Sequence, residues 1–243
     1  MADVIELRRV GFSARDRVLV SNLSFRFREG AAVALVGPSG GGKSTLLKLA
    51  AGLCIPSEGE VFFRGRAVAQ MSRAENLAFR RESAFVFQDA ALWANQSLFQ
   101  ILELPLRVHF PDMSAAERQS RVEAAAAEVG YKRELTIRPA ALSRGEQKLI
   151  AFARALMCGP GLLFLDEWTE SLDESSAQRL IGTVRNMKDK GATLIFVSHD
   201  PKVVRGLADV VLLVARGGIV SAFTGDEIAG DEDIGRLVEI GAE

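Results

Sequence analysis

Apolar and polar positions alternate at the start of the chain, in Val4-Ile5-Glu6-Leu7, Val18-Leu19-Val20 and Leu23-Ser24-Phe25-Arg26-Phe27. That period of two predicts half-buried antiparallel strands. Glu29-Gly30 then turns the chain into the unbroken apolar run Ala31 to Val36, which reads as a strand buried on both faces. Leu46 to Ala51 reads as helix, Val61-Phe62-Phe63 as a short strand between Gly59 and Gly65, and Ala84 to Phe87 as a buried strand ending at Gln88. From about Ser97 to Cys158 strand runs vanish. Ser114 to Val129, alanine-rich with interspersed charges, predicts a helix there, and Pro105, Pro111 and Pro139 punctuate the region. Strands return at Leu162–Leu165, Thr193–Val197 and Val210–Val214, the first two flanking a helix from about Glu174 to Lys188. The predicted fold class is α/β. An N-terminal antiparallel β part precedes a core interrupted by an α-helical insertion at about residues 89–158, all in one domain spanning 1–243.

Composition narrows the setting. The 243 residues are 48% hydrophobic and 25% charged, as in an ordinary globular protein. Lysine and arginine total 30 against 31 acidic residues, so no nucleic-acid partner is expected. The two cysteines, Cys54 and Cys158, lie in apolar stretches and are expected to be buried and reduced. Met1 to Val10 is interrupted by Asp3, Glu6, Arg8 and Arg9, unlike a signal peptide. No uncharged apolar run approaches the roughly 18 residues of a membrane span. A cytosolic location is expected, with any membrane work done from the side.

Chemistry enters at Gly37-Pro38-Ser39-Gly40-Gly41-Gly42-Lys43-Ser44-Thr45, the pattern G-x-x-x-x-G-K-[ST] between a predicted strand and a predicted helix. Such glycines let backbone N–H groups turn inward around phosphate oxygens, and the following helix directs its positive end at the same anion. Lys43 supplies a charge for the β- and γ-phosphates, and the Ser44 hydroxyl can ligate Mg²⁺. A nucleoside triphosphate is the expected ligand. Asp166 and Glu167 end the apolar run Leu162-Leu163-Phe164-Leu165, where α/β sheets place ligands. Asp166 suits Mg²⁺ and Glu167 suits polarising the attacking water. Further on, Leu142-Ser143-Arg144-Gly145-Glu146-Gln147 opens an apolar helical run, and Ser143 with Glu146 forms a capping box that leaves a helix N-terminus free to meet phosphate.

In order and spacing, the phosphate loop, Gln88, LSRGEQ, LLFLDE, Ser171-Leu172-Asp173 and Ser198-His199-Asp200 resemble the ATP-binding cassette (ABC) ATPases over essentially the whole chain. The resemblance implies a P-loop NTPase core with an N-terminal antiparallel β subdomain and an inserted α-helical subdomain. It implies hydrolysis of Mg-ATP between two cassettes arranged head to tail as a homodimer. Each ATP would be held by the phosphate loop of one copy and by Ser143, Gly145 and Glu146 of the other. Gln88 resembles the glutamine that reaches Mg²⁺ and the attacking water, Asp173 the aspartate that communicates across the dimer, and His199 the histidine that contacts the γ-phosphate. His109 is expected to be solvated.

The chain departs from the family pattern in several places. Arg144 stands where glycine is usual, Glu146 where glutamine is commonest, Leu149 in place of an arginine and Trp168 in place of a proline. Ala14 occupies the position of the adenine-stacking aromatic, leaving Arg15, Arg17 or Phe12 to replace it. Leu92, Trp93 and Phe99 follow Gln88 where transporter cassettes dock integral membrane permease subunits, and they either face such a partner or pack within the helical part. The string Phe87-Gln88-Asp89-Ala90-Ala91-Leu92-Trp93 with Leu104-Pro105-Leu106 looks like the ATPases of Mla/Mce-type phospholipid importers. The implied role is a motor peripheral to the membrane, at the cytoplasmic face of the inner membrane. The alternative is a soluble ABC ATPase without a permease, of the iron–sulfur scaffold type.

Overall fold

The computed structural model describes residues 2–14, 17–224 and 227. The chain opens with the strands β1 (Asp3–Ala14), β2 (Arg17–Arg28) and β3 (Ala32–Val36), then helix α1 (Lys43–Ala50). Strands β4 (Glu58–Phe63) and β5 (Arg66–Ala67), helix α2 (Arg73–Glu82) and strand β6 (Ser83–Val86) follow. Three helices come next, α3 (Leu98–His109), α4 (Ala115–Glu128) and α5 (Arg144–Leu156). The chain then alternates through β7 (Leu162–Asp166), α6 (Glu174–Asp189), β8 (Thr193–Val197), α7 (Pro201–Leu207), β9 (Val210–Ala215) and β10 (Gly218–Thr224).

Two sheets result. One is antiparallel in the order β2-β1-β4-β5, and the other runs β10-β9-β3-β8-β7-β6, parallel except for β10. Every residue of β3, β7 and β8 is buried, as central strands covered on both faces require. Their side chains divide by the period of two. Ala32, Ala34 and Val36 face a core shared with α3 to α6, whereas Val33 and Leu35 face a second core shared with α1 and the antiparallel sheet. The carboxyl ends of β3 and β7, which flank β8 in a parallel arrangement, open on the same edge.

Several expectations are corrected by packing. The separate N-terminal strand fragments are one long hairpin whose register slips past Arg9 and Asn22, both at positive φ. The strand before Gln88 is an edge strand in which only Val86 is fully buried. Pro105 lies inside α3 rather than ending it. Cys54 and Cys158 are free thiols, but half-buried. His109 is half-buried too, with Nδ1 enclosed and lacking a hydrogen bond, and burial with the nearby Arg81 holds its pKa below the usual value.

Candidate active site

The phosphate loop leaves β3 through two positions that only glycine fills easily. Gly37 has φ of +137° and a Cβ there would lie 2.2 Å from the Val214 carbonyl oxygen. Gly42, which caps α1, has φ of +102° and a Cβ there would lie 2.6 Å from the Leu19 oxygen. The loop is thus pressed against β9 and β2 while Ser39 and Gly40 form its exposed tip. Lys43 is buried, and its ammonium donates to the carbonyls of Gly37 at 2.6 Å and Pro38 at 2.9 Å. Burial lowers its pKa, while Glu167 and Asp166 oppose the shift. One residue on, Ser44 Oγ donates to Asp166 Oδ1 at 2.9 Å. Loop and acidic strand therefore meet through two of the three groups singled out for Mg²⁺.

Asp166 and Glu167 are 2% and 7% exposed, so each carboxylate loses hydration. Burial raises the Asp166 pKa against the Ser44 hydrogen bond, and it pushes Glu167 up to about 7. Glu167 sits in the left-handed region at φ of +46°. Its Oε2 accepts from the His199 backbone N–H at 3.3 Å, and His199 Nε2 lies 3.0 Å from Oε1, an atom otherwise enclosed without a hydrogen bond. Burial and Lys43 lower the imidazole pKa, favouring its neutral form. A carboxylate near neutrality with a free buried oxygen beside a neutral imidazole is suited to take a proton from a water.

Gln88 reaches the same region, its Nε2 donating to Glu170 Oε2 at 3.1 Å. The following Ala90 and Ala91 have φ of +62° and +47°, and the Arg154 guanidinium from α5 donates to both of their carbonyls, at 3.2 and 2.7 Å. A cleft of about 750 Å³ runs from Ser44 past Gln88 and Asp166 to Arg144 and Lys148. Among the described residues no three His, Cys, Asp or Glu side chains cluster as a metal cage. One hydroxyl and one carboxylate beside a phosphate loop nonetheless fit Mg²⁺, which takes few protein ligands and completes its shell with phosphate and water.

Within LSRGEQ, Arg144 and Gln147 line the cleft that starts at Ser44, whereas Ser143, Gly145 and Glu146 line a depression that Gly40 to Thr45 do not share. Ser143 and Glu146 close the capping box, with Glu146 N to Ser143 Oγ at 3.2 Å and Ser143 N to Glu146 Oε2 at 2.8 Å. Arg133 secures the Glu146 carboxylate from outside at 3.1 Å. With Gly145 and Asp173 they line a separate depression. Asp173 caps α6 by accepting from Ser176 N and Ser175 Oγ, and these bonds hold its carboxyl well below the usual range.

The structure also places residues that sequence reasoning left open. Trp168 is fully buried and packs edge-on against Phe196, with ring centroids 5.6 Å apart. Leu149 is buried in the core. Leu92 and Phe99 are half-buried against the helical core, while Trp93 is 45% exposed. Ala14 is exposed, Phe12 packs against the second core, and Arg17 lines a depression with Gly40 to Thr45. Arg15 lies outside the described residues. Lys148, Glu170 and Arg154 were missed altogether. The only signal for the two cations was charge inside an apolar helical run.

A sequence model of the family described as ABC transporter matches residues 20–170. The chain belongs to the ABC transporter family. It is 39% identical to the uncharacterized ABC transporter ATP-binding protein YejF of Escherichia coli over 84% of its own length, but spans only 39% of YejF. The intermembrane phospholipid transport ATP-binding protein MlaF of Haemophilus influenzae is 30% identical over 98% of this cassette and 89% of that protein. The nickel import ATP-binding protein NikE of Escherichia coli is 34% identical over 94% and 88%. In structure the cassette matches the dimeric ATP-binding cassette MJ0796 bound to ADP and Pi, with a TM-score of 0.83 and 27% identity over 91% of this chain and 98% of that one. The α/β cassette fold, ATP binding and ATPase activity follow from membership. No described helix is long and apolar enough to cross a membrane.

Proposed function

We propose that this ABC transporter ATP-binding subunit hydrolyses ATP between two copies of itself to drive an integral membrane permease from the cytoplasmic face of the inner membrane. The observation that carries the reading is the convergence of Ser44, Asp166, Glu167 and His199 at the ends of adjacent parallel strands. Gly37 to Thr45 cradle the triphosphate, and Lys43 exchanges its loop carbonyls for phosphate oxygens. Ser44 and Asp166, with Gln88 at the rim, hold Mg²⁺, which offsets phosphate charge and orients the substrate when bound. Glu167 accepts the proton of the attacking water as its oxygen bonds to the γ-phosphorus and the β–γ bridging oxygen leaves with ADP. His199 steadies Glu167 and the γ-phosphate. Ser143, Gly145 and Glu146 of a second copy close over the nucleotide, with Asp173 beside them. That arrangement gives a role to the depression that Ser143, Gly145, Glu146 and Asp173 line without any phosphate-loop residue, and the dimeric state of MJ0796 supports it.

Phospholipid is the proposed cargo. It rests on the Phe87 to Trp93 string and on the near full-length match to MlaF, and NikE, equally well covered, is the competing assignment. Purifying the native complex in mild detergent and identifying its proteins and lipids tests both levels. A permease with bound phospholipid is expected. A permease without lipid removes the cargo, and soluble companions alone remove the transport role.

A further inference from the structure

We infer that Lys148 is a positioning residue for hydrolysis, a buried ammonium that fixes the main chain of Glu167 and thereby aims its carboxylate at the water. The inference rests on the role proposed above for Glu167. Lys148 lies on α5, about 100° around the helix from the buried Leu149, and its ammonium reaches the end of the acidic strand. It is only 4% exposed, an environment that lysine rarely occupies without a partner. Among the described residues no carboxylate comes within ion-pair distance of it. Its hydrogen bond goes instead to the main-chain carbonyl of Glu167, at 2.5 Å.

That carbonyl belongs to a residue in a strained conformation, φ of +46°, which persists only where its surroundings impose it. The Glu170 N–H donates to the same oxygen at 3.2 Å. Two donors on one oxygen, one of them charged, set the plane of the peptide after Glu167. The buried Trp168 side chain anchors the residue that follows. At longer range Lys148 faces Glu170, Glu167, Asp166 and Asp89, so it also balances the carboxylates gathered around the cleft. Because Ser143 starts the same helix, the segment proposed to meet the second copy's nucleotide is tied through one rigid element to the proposed base.

Lys148→Met keeps the apolar stem and removes the donor. Its affinity for a fluorescent ATP analogue in EDTA is expected to stay within about threefold of native, and so is KM. Turnover should fall by about 30- to 100-fold, the size of effect that a misplacement of about 1 Å produces. With Mg-ATP the variant should accumulate the closed dimer on gel filtration. Lys148→Arg, which retains a cationic donor, should keep at least about a third of native turnover, and it decides the matter alone if the Met variant does not fold. The inference is overturned if Lys148→Met turns over within about threefold of native. It is equally overturned if affinity and melting temperature fall together with turnover, or if a folded Arg variant is as slow as the Met variant. Glu167→Gln is measured alongside. If it is inactive while Lys148→Met is fast, only the Lys148 inference fails, whereas an active Glu167→Gln removes the reading beneath it.

Discussion

At the residue scale the most informative departure is Trp168. Its place after Glu167 is visible in the sequence, yet nothing there distinguishes a reshaped loop from a core side chain, since the polar Thr169 and Glu170 follow it directly. Burial against Phe196 gives the answer, and it leaves the indole N–H enclosed without a partner. Trp168→Ala should therefore lower unfolding free energy by about 3–5 kcal/mol in urea titrations, the usual cost of truncating a buried aromatic. Trp168→Phe should cost far less, because it keeps most of the ring packing and removes an unsatisfied donor. Arg17 belongs at this scale as well. Of the substitutes for the missing adenine platform, Phe12 is committed to the core and Arg17 lies beside Gly40 to Thr45. If its guanidinium stacks on the base, Arg17→Ala should raise the ATP KM about tenfold, an effect of about 1.4 kcal/mol within the range of such contacts. An unchanged KM would place the base elsewhere.

At the element scale, helix starts were more legible than they were read to be. Ser72 with Glu75, Ser97 with Gln100 and Ser114 with Glu117 form the same reciprocal capping box as Ser143 with Glu146. The S-x-x-E/Q spacing of the first two is plain in the sequence and marks α2 and the start of α3. Neither start was predicted. Half of the α2 segment is charged and it buries only Phe79, so it lacks the apolar periodicity that betrays a helix. Ser72→Ala should reduce stability by about 1 kcal/mol, readable as a shift in melting temperature, without changing ATP affinity. Pro105 misleads in the opposite sense: α3 tolerates it because tertiary packing of Ile101, Leu102 and Leu106 outweighs one lost backbone bond. The central strands needed no such repair. Continuous apolar runs at Ala31–Val36, Leu162–Leu165 and Thr193–Val197 become the fully buried β3, β7 and β8 to within a residue or two.

At the scale of the whole molecule, the order of motifs carried the fold class and the family, because a phosphate loop, an acidic strand end and a capped helix in that order fit few architectures. Contacts between distant elements were not legible. Lys148 on Glu167, Arg154 on Ala90 and Ala91, and Glu170 on Gln88 join segments 19 to 82 residues apart. Pattern reasoning has no access to such pairs. Docking is a question at this scale too. Leu92 and Phe99 serve the helical core, which leaves Trp93, held under the Arg154 guanidinium at 5.4 Å, as the exposed member of the trio. Trp93→Asp should release the cassette from its permease in detergent while its own ATP hydrolysis changes by less than about twofold, since surface substitutions rarely disturb folding. Retained assembly would move the contact to another face.

Glu167 is proposed to perform the proton transfer between two cassettes closed on ATP. The most direct measurement is ATP turnover together with oligomeric state for purified Glu167→Gln in Mg-ATP. Turnover at least about 100-fold below native, with a stable ATP-bound dimer on gel filtration, is the predicted result, consistent with the usual size of a general-base contribution. Hydrolysis within a few-fold of native, or a chain that stays monomeric with ATP bound, would contradict it.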